Sequence, residues 1–336
     1  MAEEFQTGPA YSHVAILGAG AWGTALAAIA ARAGRRVTLW GRNGSLLVDI
    51  STGENPRYLP GVELPEDISV TSSLAVAAGG EFVILAAPAQ ATRALLKELV
   101  PLLAPGTPLM LSAKGIEQNS GKLLPEILAE EAPCHPVAIL SGPSFAREVA
   151  SGLPTAVTIA AEAALAARLQ MTLSTPSFRP YASDDVTGVA LGGAAKNVYA
   201  IACGVVEGLG LGENARAALL ARGFAELARL GEALGARRET LMGLSGLGDL
   251  VLTATSASSR NFAAGVELGR GKHAAALAAP DHPLAEGLAT APALVARAKA
   301  AHIELPIAEA MADLIAGTLP LSEAMARLMN RKLTAE

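Results

Sequence analysis

Seven short apolar runs in the first 185 residues restrict what this chain can fold into. They lie at 13–17, 36–40, 81–86, 108–112, 136–140, 155–159 and 177–181. Most lack the alternation of apolar and polar residues that a half-exposed strand shows, and such runs read as strands buried on both faces. Helical stretches such as 89–103 and 122–131 lie between them. A strand with no solvent-facing side needs helices over both faces of its sheet, which is the layout of an α/β domain with a mainly parallel sheet.

The first run leads directly into Gly18-Ala19-Gly20-Ala21-Trp22-Gly23, which opens an alanine-rich helix. A glycine string alone is a weak signal, but here the strand, turn, helix and second strand that it needs are all present. Gly18 permits the tight turn, and Gly20 lets a pyrophosphate approach the backbone. Gly23 lets the helix pack against the strand. Free N–H groups and the positive end of the helix then face the phosphates. The loop predicts a dinucleotide site. The second strand runs into Trp40-Gly41-Arg42-Asn43, with no acidic residue before Asp49. Arg42 suits a ribose 2′-phosphate and leans the choice to NADPH, while a solvated loop arginine and use of NADH as well stay open.

After Asp185 the strand signals stop, and helical periodicity runs through 188–209, 213–234, 261–269, 288–301 and 307–316. The expected organisation is a flexible extension over 1–12, a Rossmann-type dinucleotide domain over 13–187 and an all-α domain over 188–336. Mean hydropathy is +0.38, which raises the question of a membrane span. The uncharged run between Glu98 and Lys114 is short and broken by Pro101, Pro105 and Pro108, so no span is expected. A net charge of −5 gives no electrostatic reason to expect nucleic acid. Cys134 and Cys203 have no metal or redox spacing. With no apolar leader after Glu3 and Glu4, the expectation is a cytoplasmic protein.

The segment most informative about chemistry is Leu191-Gly192-Gly193-Ala194-Ala195-Lys196-Asn197-Val198-Tyr199. Lys196 is the only charged residue between Asp185 and Glu207. It either snorkels to solvent or sits desolvated, where its pKa falls toward a value useful for proton transfer. Lys114 follows the strand at 108–112, and Ser141-Gly142-Pro143-Ser144-Phe145-Ala146 follows the next. Loops at those strand ends are where ligands bind in such sheets. Asp249 stands among glycines and aliphatics in Gly246-Leu247-Gly248-Asp249 and could pair with a lysine. Ser258-Ser259-Arg260-Asn261 starts a helix and offers donors for a phosphate. Taken singly, these last motifs are more often capped helices or surface ion pairs, and only their company raises them.

Together the stretches GAGAWGTALA, NPRYLPGV, SAKGIE, SGPSFAREVA, LGGAAKNVYAIACGVVEGLGLGENARAAL, GLSGLGDLVLTATSASSRN and AEG resemble the bacterial-type NAD(P)-dependent glycerol-3-phosphate dehydrogenases, over essentially the whole chain. The resemblance implies reversible reduction of dihydroxyacetone phosphate to sn-glycerol 3-phosphate for phospholipid synthesis. It also implies a Rossmann-type domain followed by a helical domain of the 6-phosphogluconate dehydrogenase C-terminal type, and a homodimer. Carried over residue by residue, Lys196 is the proton donor, with Lys114 and Asp249 in the same catalytic group. Asn197 and Thr253 stand beside them. Arg260 and Asn261 bind phosphate, assisted by Gly142, Ser144 and Ser259. Ala21, Trp22, Arg42, Lys114, Ala146, Arg260, Leu284 and Glu286 match cofactor positions. Ala21 stands where many relatives have serine, and Leu284 where valine is frequent. Two other readings remain: a hydroxyacid or 6-phosphogluconate-type dehydrogenase, and a non-catalytic NAD(P)-sensing protein.

Overall fold

All seven apolar runs become strands of a single sheet in the computed structural model, which describes residues 8–279 and 282–324. In chain order the strands are β1 (His13–Leu17), β2 (Arg36–Trp40), β3 (Glu54–Asn55), β4 (Leu59–Glu63), β5 (Ile68–Thr71), β6 (Phe82–Leu85), β7 (Leu109–Leu111), β8 (Val137–Ser141), β9 (Thr155–Ala161) and β10 (Phe178–Ser183). Eight of them form the main sheet in the order β10-β9-β8-β7-β6-β1-β2-β5, and β3 and β4 pair separately. Every neighbouring pair in the main sheet is parallel except β8 and β9. The central strands carry Val, Ile and Leu on both faces, and every residue of β1 and β6 is buried. The edge strand β5 was not legible as a strand. Its sequence Ile-Ser-Val-Thr buries only Ile68, and an edge supplies no continuous apolar run.

The chain divides into two compact units. The first comprises Met1–Ala113 and Leu124–Ala190, the second Lys114–Leu123 and Leu191–Glu336. The ten residues from Lys114 to Leu123 therefore go with the helices, although they lie in the midst of the strand-rich stretch. They form a hairpin closed by an antiparallel bridge between Ile116 and Leu123.

The expectation of a flexible extension over 1–12 is corrected for residues 8–12. Tyr11 is buried and stacks on Phe82, and the Arg168 guanidinium lies over its ring. Its amide donates to Thr172 Oγ1 at 3.1 Å, and Ser12 donates to the Glu81 carboxylate from both its amide and its hydroxyl. An aromatic ring and a paired carboxylate give this segment enough contact to order it. Residues 1–7 lie outside the described residues, as do 280–281 and 325–336.

In the second unit the described residues form helices and no strand of the main sheet. Its axis is the helix Val186–Gly208, whose 18-residue apolar window is long enough to cross a membrane by length and composition, yet is wholly buried within the protein. A helix apolar on all sides is the mark of an interior position. Glycines let its neighbours come within backbone distance. A Cβ on Gly265 would land on the Ile201 carbonyl oxygen, and one on Gly204 on the Phe262 carbonyl oxygen. Gly208 and Gly269 repeat the arrangement one turn on. Small residues four apart on both helices thus seat Arg260–Gly269 directly on the central helix. Gly192 makes the same close approach to Ser245 and Gly246.

Candidate active site

The dinucleotide loop in the first unit has the geometry its sequence requires. Gly18 has φ +125°, where any side chain is strained, and a Cβ there would come 2.8 Å from the Ala86 carbonyl oxygen. Gly23 packs so close to Gly18 that a Cβ would strike its carbonyl oxygen. Above Gly20, by contrast, the place of a Cβ is open space. Gly20 is the N-cap of the helix Ala21–Arg32 and supplies no side-chain cap, so the helix end is presented to a ligand. The Trp22 indole N–H is buried and has no acceptor among the described residues. Open space at Gly20, a helix N-terminus and a buried donor awaiting an acceptor all fit a dinucleotide.

Sequence reasoning gave Asn55 no role, though it lies in the NPRYLPGV stretch. Fully buried, its Nδ2 donates to the Ala19 carbonyl at 3.3 Å and to Thr24 Oγ1 at 2.8 Å, bracing the loop from behind. An asparagine before proline was the available signal. Arg42 is exposed at the end of β2, and Asn43, not Arg42, caps the following helix by accepting from the Leu46 amide. Gly142 (φ +144°) turns the chain after β8, and the Ser144 hydroxyl donates to the Gly142 carbonyl at 2.9 Å. Ser144 is thus a turn residue, while Ala146 begins the short helix Ala146–Ala150.

The second unit assembles the ionisable residues. Asp249 is 1% exposed and shares its two oxygens between two ammonium groups. Oδ1 accepts from Lys196 Nζ at 2.6 Å, and Oδ2 from Lys114 Nζ at 2.7 Å. Lys196 Nζ also donates to Thr253 Oγ1 at 2.7 Å, and Lys196 is buried, not snorkelling. The local fold that aims Asp249 is a single π-helical turn, Leu244–Gly248, leading into the helix Asp249–Thr255. Such turns are uncommon and favour functional positions. Burial lowers the Lys196 pKa to about 8, with Asp249 pulling it up and Lys114 pushing it down. Burial works to raise the Asp249 pKa, but the two lysines outweigh it and hold the carboxyl below its ordinary value.

A second set of bonds adjoins these. The Gly287 amide donates to Asn261 Oδ1 at 2.9 Å, Asn261 Nδ2 to Asn197 Oδ1 at 2.9 Å, and Asn197 Nδ2 to the Lys114 carbonyl at 3.0 Å. Each amide oxygen accepts within this chain, which fixes both amides with one N–H left for a ligand. Ser259 accepts from the Phe262 amide as the N-cap of the helix Arg260–Gly269. Arg260 is exposed at its first position. Glu286 opens the helix Glu286–Ala300 and Leu284, half exposed, precedes it. The structure therefore brings together Lys114, Lys196, Asn197, Asp249, Thr253, Ser259, Arg260, Asn261, Leu284 and Glu286 in one unit. Gly18, Gly20, Ala21, Trp22, Gly23, Arg42, Gly142, Ser144 and Ala146 stand in the other.

A model of the NAD-dependent glycerol-3-phosphate dehydrogenase N-terminus matches residues 13–167, and its C-terminal counterpart matches residues 185–326. The chain belongs to this family. A relative from a Bradyrhizobium strain, named glycerol-3-phosphate dehydrogenase (NAD(P)+), is 55% identical over 97% of this chain and 99% of its own. One of the same name from Rhodospirillum rubrum is 53% identical over 96% and 94%. The crystal structure of a glycerol-3-phosphate dehydrogenase from Coxiella burnetii superposes with a TM-score of 0.90 at 38% identity, covering 96% of this chain and 99% of that one. D-mandelate dehydrogenase, at 13% identity and a TM-score of 0.62, shares the fold alone. Membership of the glycerol-3-phosphate family thus favours a phosphorylated substrate over the hydroxyacid alternative, and a site complete in both lysines and their aspartate disfavours a silent sensor.

Proposed function

We propose that this chain catalyses the reversible, NAD(P)H-dependent reduction of dihydroxyacetone phosphate to sn-glycerol 3-phosphate, supplying glycerophospholipid synthesis. The observation that carries the reading is the buried Lys196 ammonium held between Asp249 and Thr253 in a chain of this family. Reduced nicotinamide, when bound, supplies the hydride for the ketone carbon. Lys196 gives a proton to the carbonyl oxygen and takes it back in the reverse direction. An ammonium has three N–H groups. Two are spent on Asp249 and Thr253, which leaves one to point at the substrate oxygen. A group titrating at about 8 exchanges a proton near neutrality far more readily than an exposed lysine.

The Lys114 and Lys196 ammonium groups steady the negative charge that develops on the oxygen. Arg260 offers a planar array of donors to the phosphate, and the spare N–H of Asn261 adds another. Ser259 and the Gly142–Ser144 turn, which the Ser144 hydroxyl braces, complete the phosphate contacts in this reading, while Asn197 and Thr253 orient the lysines. Gly18, Gly20, Ala21, Trp22 and Gly23 hold the pyrophosphate, with Ala146, Leu284 and Glu286 as further cofactor positions. Arg42, with no acid at the end of β2, favours NADPH over NADH. On this reading residues 13–187, apart from the 114–123 hairpin, serve mainly the dinucleotide, and 188–336 together with that hairpin serve mainly the substrate. The enzyme is a cytoplasmic homodimer, to be checked by sedimentation and fractionation.

The test is an absorbance assay of reduced-nicotinamide consumption with dihydroxyacetone phosphate, run with NADPH and NADH in parallel. Oxidation of glycerol 3-phosphate is measured beside 6-phosphogluconate and 3-hydroxyacids. Turnover confined to the triose phosphate pair is expected. Comparable turnover of a carboxylate substrate, with none on glycerol 3-phosphate, would overturn the assignment.

A further inference from the structure

We propose that Arg297 is a positioning residue for the reaction, holding the turn of the 114–123 hairpin so that Lys114 stands against Asp249. The inference rests on the reductase reading of the site. Lys114 is the first residue of the hairpin, so its ammonium can be no better placed than the hairpin itself. Inside the hairpin the Glu117 amide donates to the Lys122 carbonyl at 3.0 Å, and the Gly121 amide to the Glu117 carbonyl at 2.8 Å. At the turn, Gly121 takes φ +67°, a conformation that glycine adopts without strain. Its carbonyl accepts from Arg297 Nη1 at 3.1 Å.

The other end of the hairpin is held by Asn197 of the central helix, at the end of a relay of amides that starts on the Arg297 helix. Gly287, in the first turn of Glu286–Ala300, donates to Asn261, which donates to Asn197, which donates to the Lys114 carbonyl. Arg297 lies ten residues farther along that helix, about 15 Å at 1.5 Å per residue. The hairpin is thus held at its turn by Arg297 and at its Lys114 end by Asn197 of the central helix, whose amide is fixed in turn through Asn261 to Gly287. Fastening at one point fixes a location, whereas two points also fix a direction. Loss of Arg297 removes one hold on the turn and allows it a limited swing about the buried Ile116 and Leu123.

The swing reaches the chemistry through Asp249. Its two oxygens are divided between Lys114 and Lys196. When Lys114 withdraws, a positive neighbour that lowers the Lys196 pKa is lost and the whole carboxylate charge falls on Lys196. The charged groups acting on Lys196 are Asp249, Lys114 and Glu286, and of these only Lys114 belongs to the hairpin. Lys196 then holds its proton more tightly.

The test compares Arg297→Gln and Arg297→Lys in the full-length protein. Two measurements are made: kcat against pH for glycerol 3-phosphate oxidation, and an NMR titration of the Lys196 side chain in isotope-labelled protein without substrate. Arg297→Gln is expected to lose about tenfold to a hundredfold in kcat with little change in KM, and to titrate Lys196 at higher pH. Arg297→Lys, which keeps a donor for Gly121, recovers most of both. Where Arg297→Gln does not fold, Arg297→Met retains the stem and takes its place. A lower melting temperature with kcat and the Lys196 titration unmoved makes Arg297 a merely structural residue and overturns the proposal. Wild-type protein inactive on the triose phosphate, yet with the Lys196 titration moved by the variant, sinks the reductase reading while upholding the hairpin mount.

Discussion

Lys196 owes its chemistry to being the one charge in the buried stretch of a helix that has no water to offer it. Its direct ion-pair partner is Asp249, and breaking such a buried pair costs about 3–5 kcal/mol. Three consequences are measurable. Lys196→Met should lower turnover by roughly 10²–10⁴-fold, as loss of a positioned proton donor does. Cofactor binding, followed by reduced-nicotinamide fluorescence, should be retained; undiminished kcat would remove Lys196 from the reaction. In glycerol 3-phosphate oxidation the lysine must be neutral, so the rate should rise with pH through about 8, and in ketone reduction it should fall through the same region. Asp249→Asn removes the charge that pulls this pKa up, so the midpoint should move down, and a midpoint moving up would contradict the sign. Arg42→Ala should raise KM for NADPH by roughly tenfold while leaving NADH nearly unchanged, since one charge-assisted contact is worth about 1.5–3 kcal/mol. Lys196 was legible because a lone charge in a long apolar stretch is anomalous whatever the fold. That Asp249 serves two lysines was not, because the pairing spans 135 and 53 residues of chain and no local pattern records it. Ser144 shows the converse. Its position after a strand advertised a ligand contact, while its hydroxyl is spent on its own turn.

Elements are placed here by what glycine leaves out and by where helix ends find partners. The helix Arg260–Gly269 reaches the central helix only because Gly204, Gly208, Gly265 and Gly269 present no side chains at the crossing. Gly265→Ala puts a methyl group on the Ile201 carbonyl oxygen, and overpacking of this kind costs about 1–3 kcal/mol. Since Arg260 and Asn261 begin that helix, the displaced helix should also raise KM for dihydroxyacetone phosphate. Loss of stability with KM intact would separate packing from phosphate binding. The helix Pro306–Ala316 is anchored differently. Glu226 accepts from the Ile307 amide at 2.8 Å and the Ala308 amide at 3.3 Å, and the Tyr199 hydroxyl donates to it at 3.3 Å. Burial raises the Glu226 pKa from 4.5 to about 7, against the two amides, Arg229 and Tyr199, which lower it. The folded chain therefore keeps a proton that the unfolded chain has released, so this contribution to stability is full below 4.5 and is lost as pH rises through about 7. Wild-type Tm should fall by a few degrees across that window, whereas Glu226→Gln should flatten it. An unchanged slope in the variant would exclude Glu226 as the source. The central strands and long helices were readable in the sequence because burial on all sides writes an uninterrupted apolar run. The π turn before Asp249 was not, because it packs against Gly192 of another helix, a contact that no local pattern records.

Over the whole molecule, chain order and spatial order part company at the 114–123 hairpin. Lys114 follows a strand of the dinucleotide-type sheet and by sequence belongs with it, yet the hairpin is built into the helical unit. The backbone consequently passes between the units three times, at 113/114, 123/124 and 190/191. Unfolding the first unit pulls on both ends of the hairpin, and with it on the Lys114–Asp249 ion pair that helps neutralise Lys196. The two units should therefore unfold together despite having separate cores. Cofactor binding makes this testable, because a ligand stabilises whatever unfolds cooperatively with its site. At a hundred times its Kd, NADPH adds about 2.7 kcal/mol. For a chain of this size each kcal/mol raises Tm by about 2–4 °C at most. Calorimetry should show one transition that NADPH moves upward as a whole. Two transitions, with only one shifted by NADPH, would mean that the hairpin does not couple the units. Arg297→Gln then serves as the internal control, since a hairpin released at its turn transmits less of that pull and should broaden or split the transition.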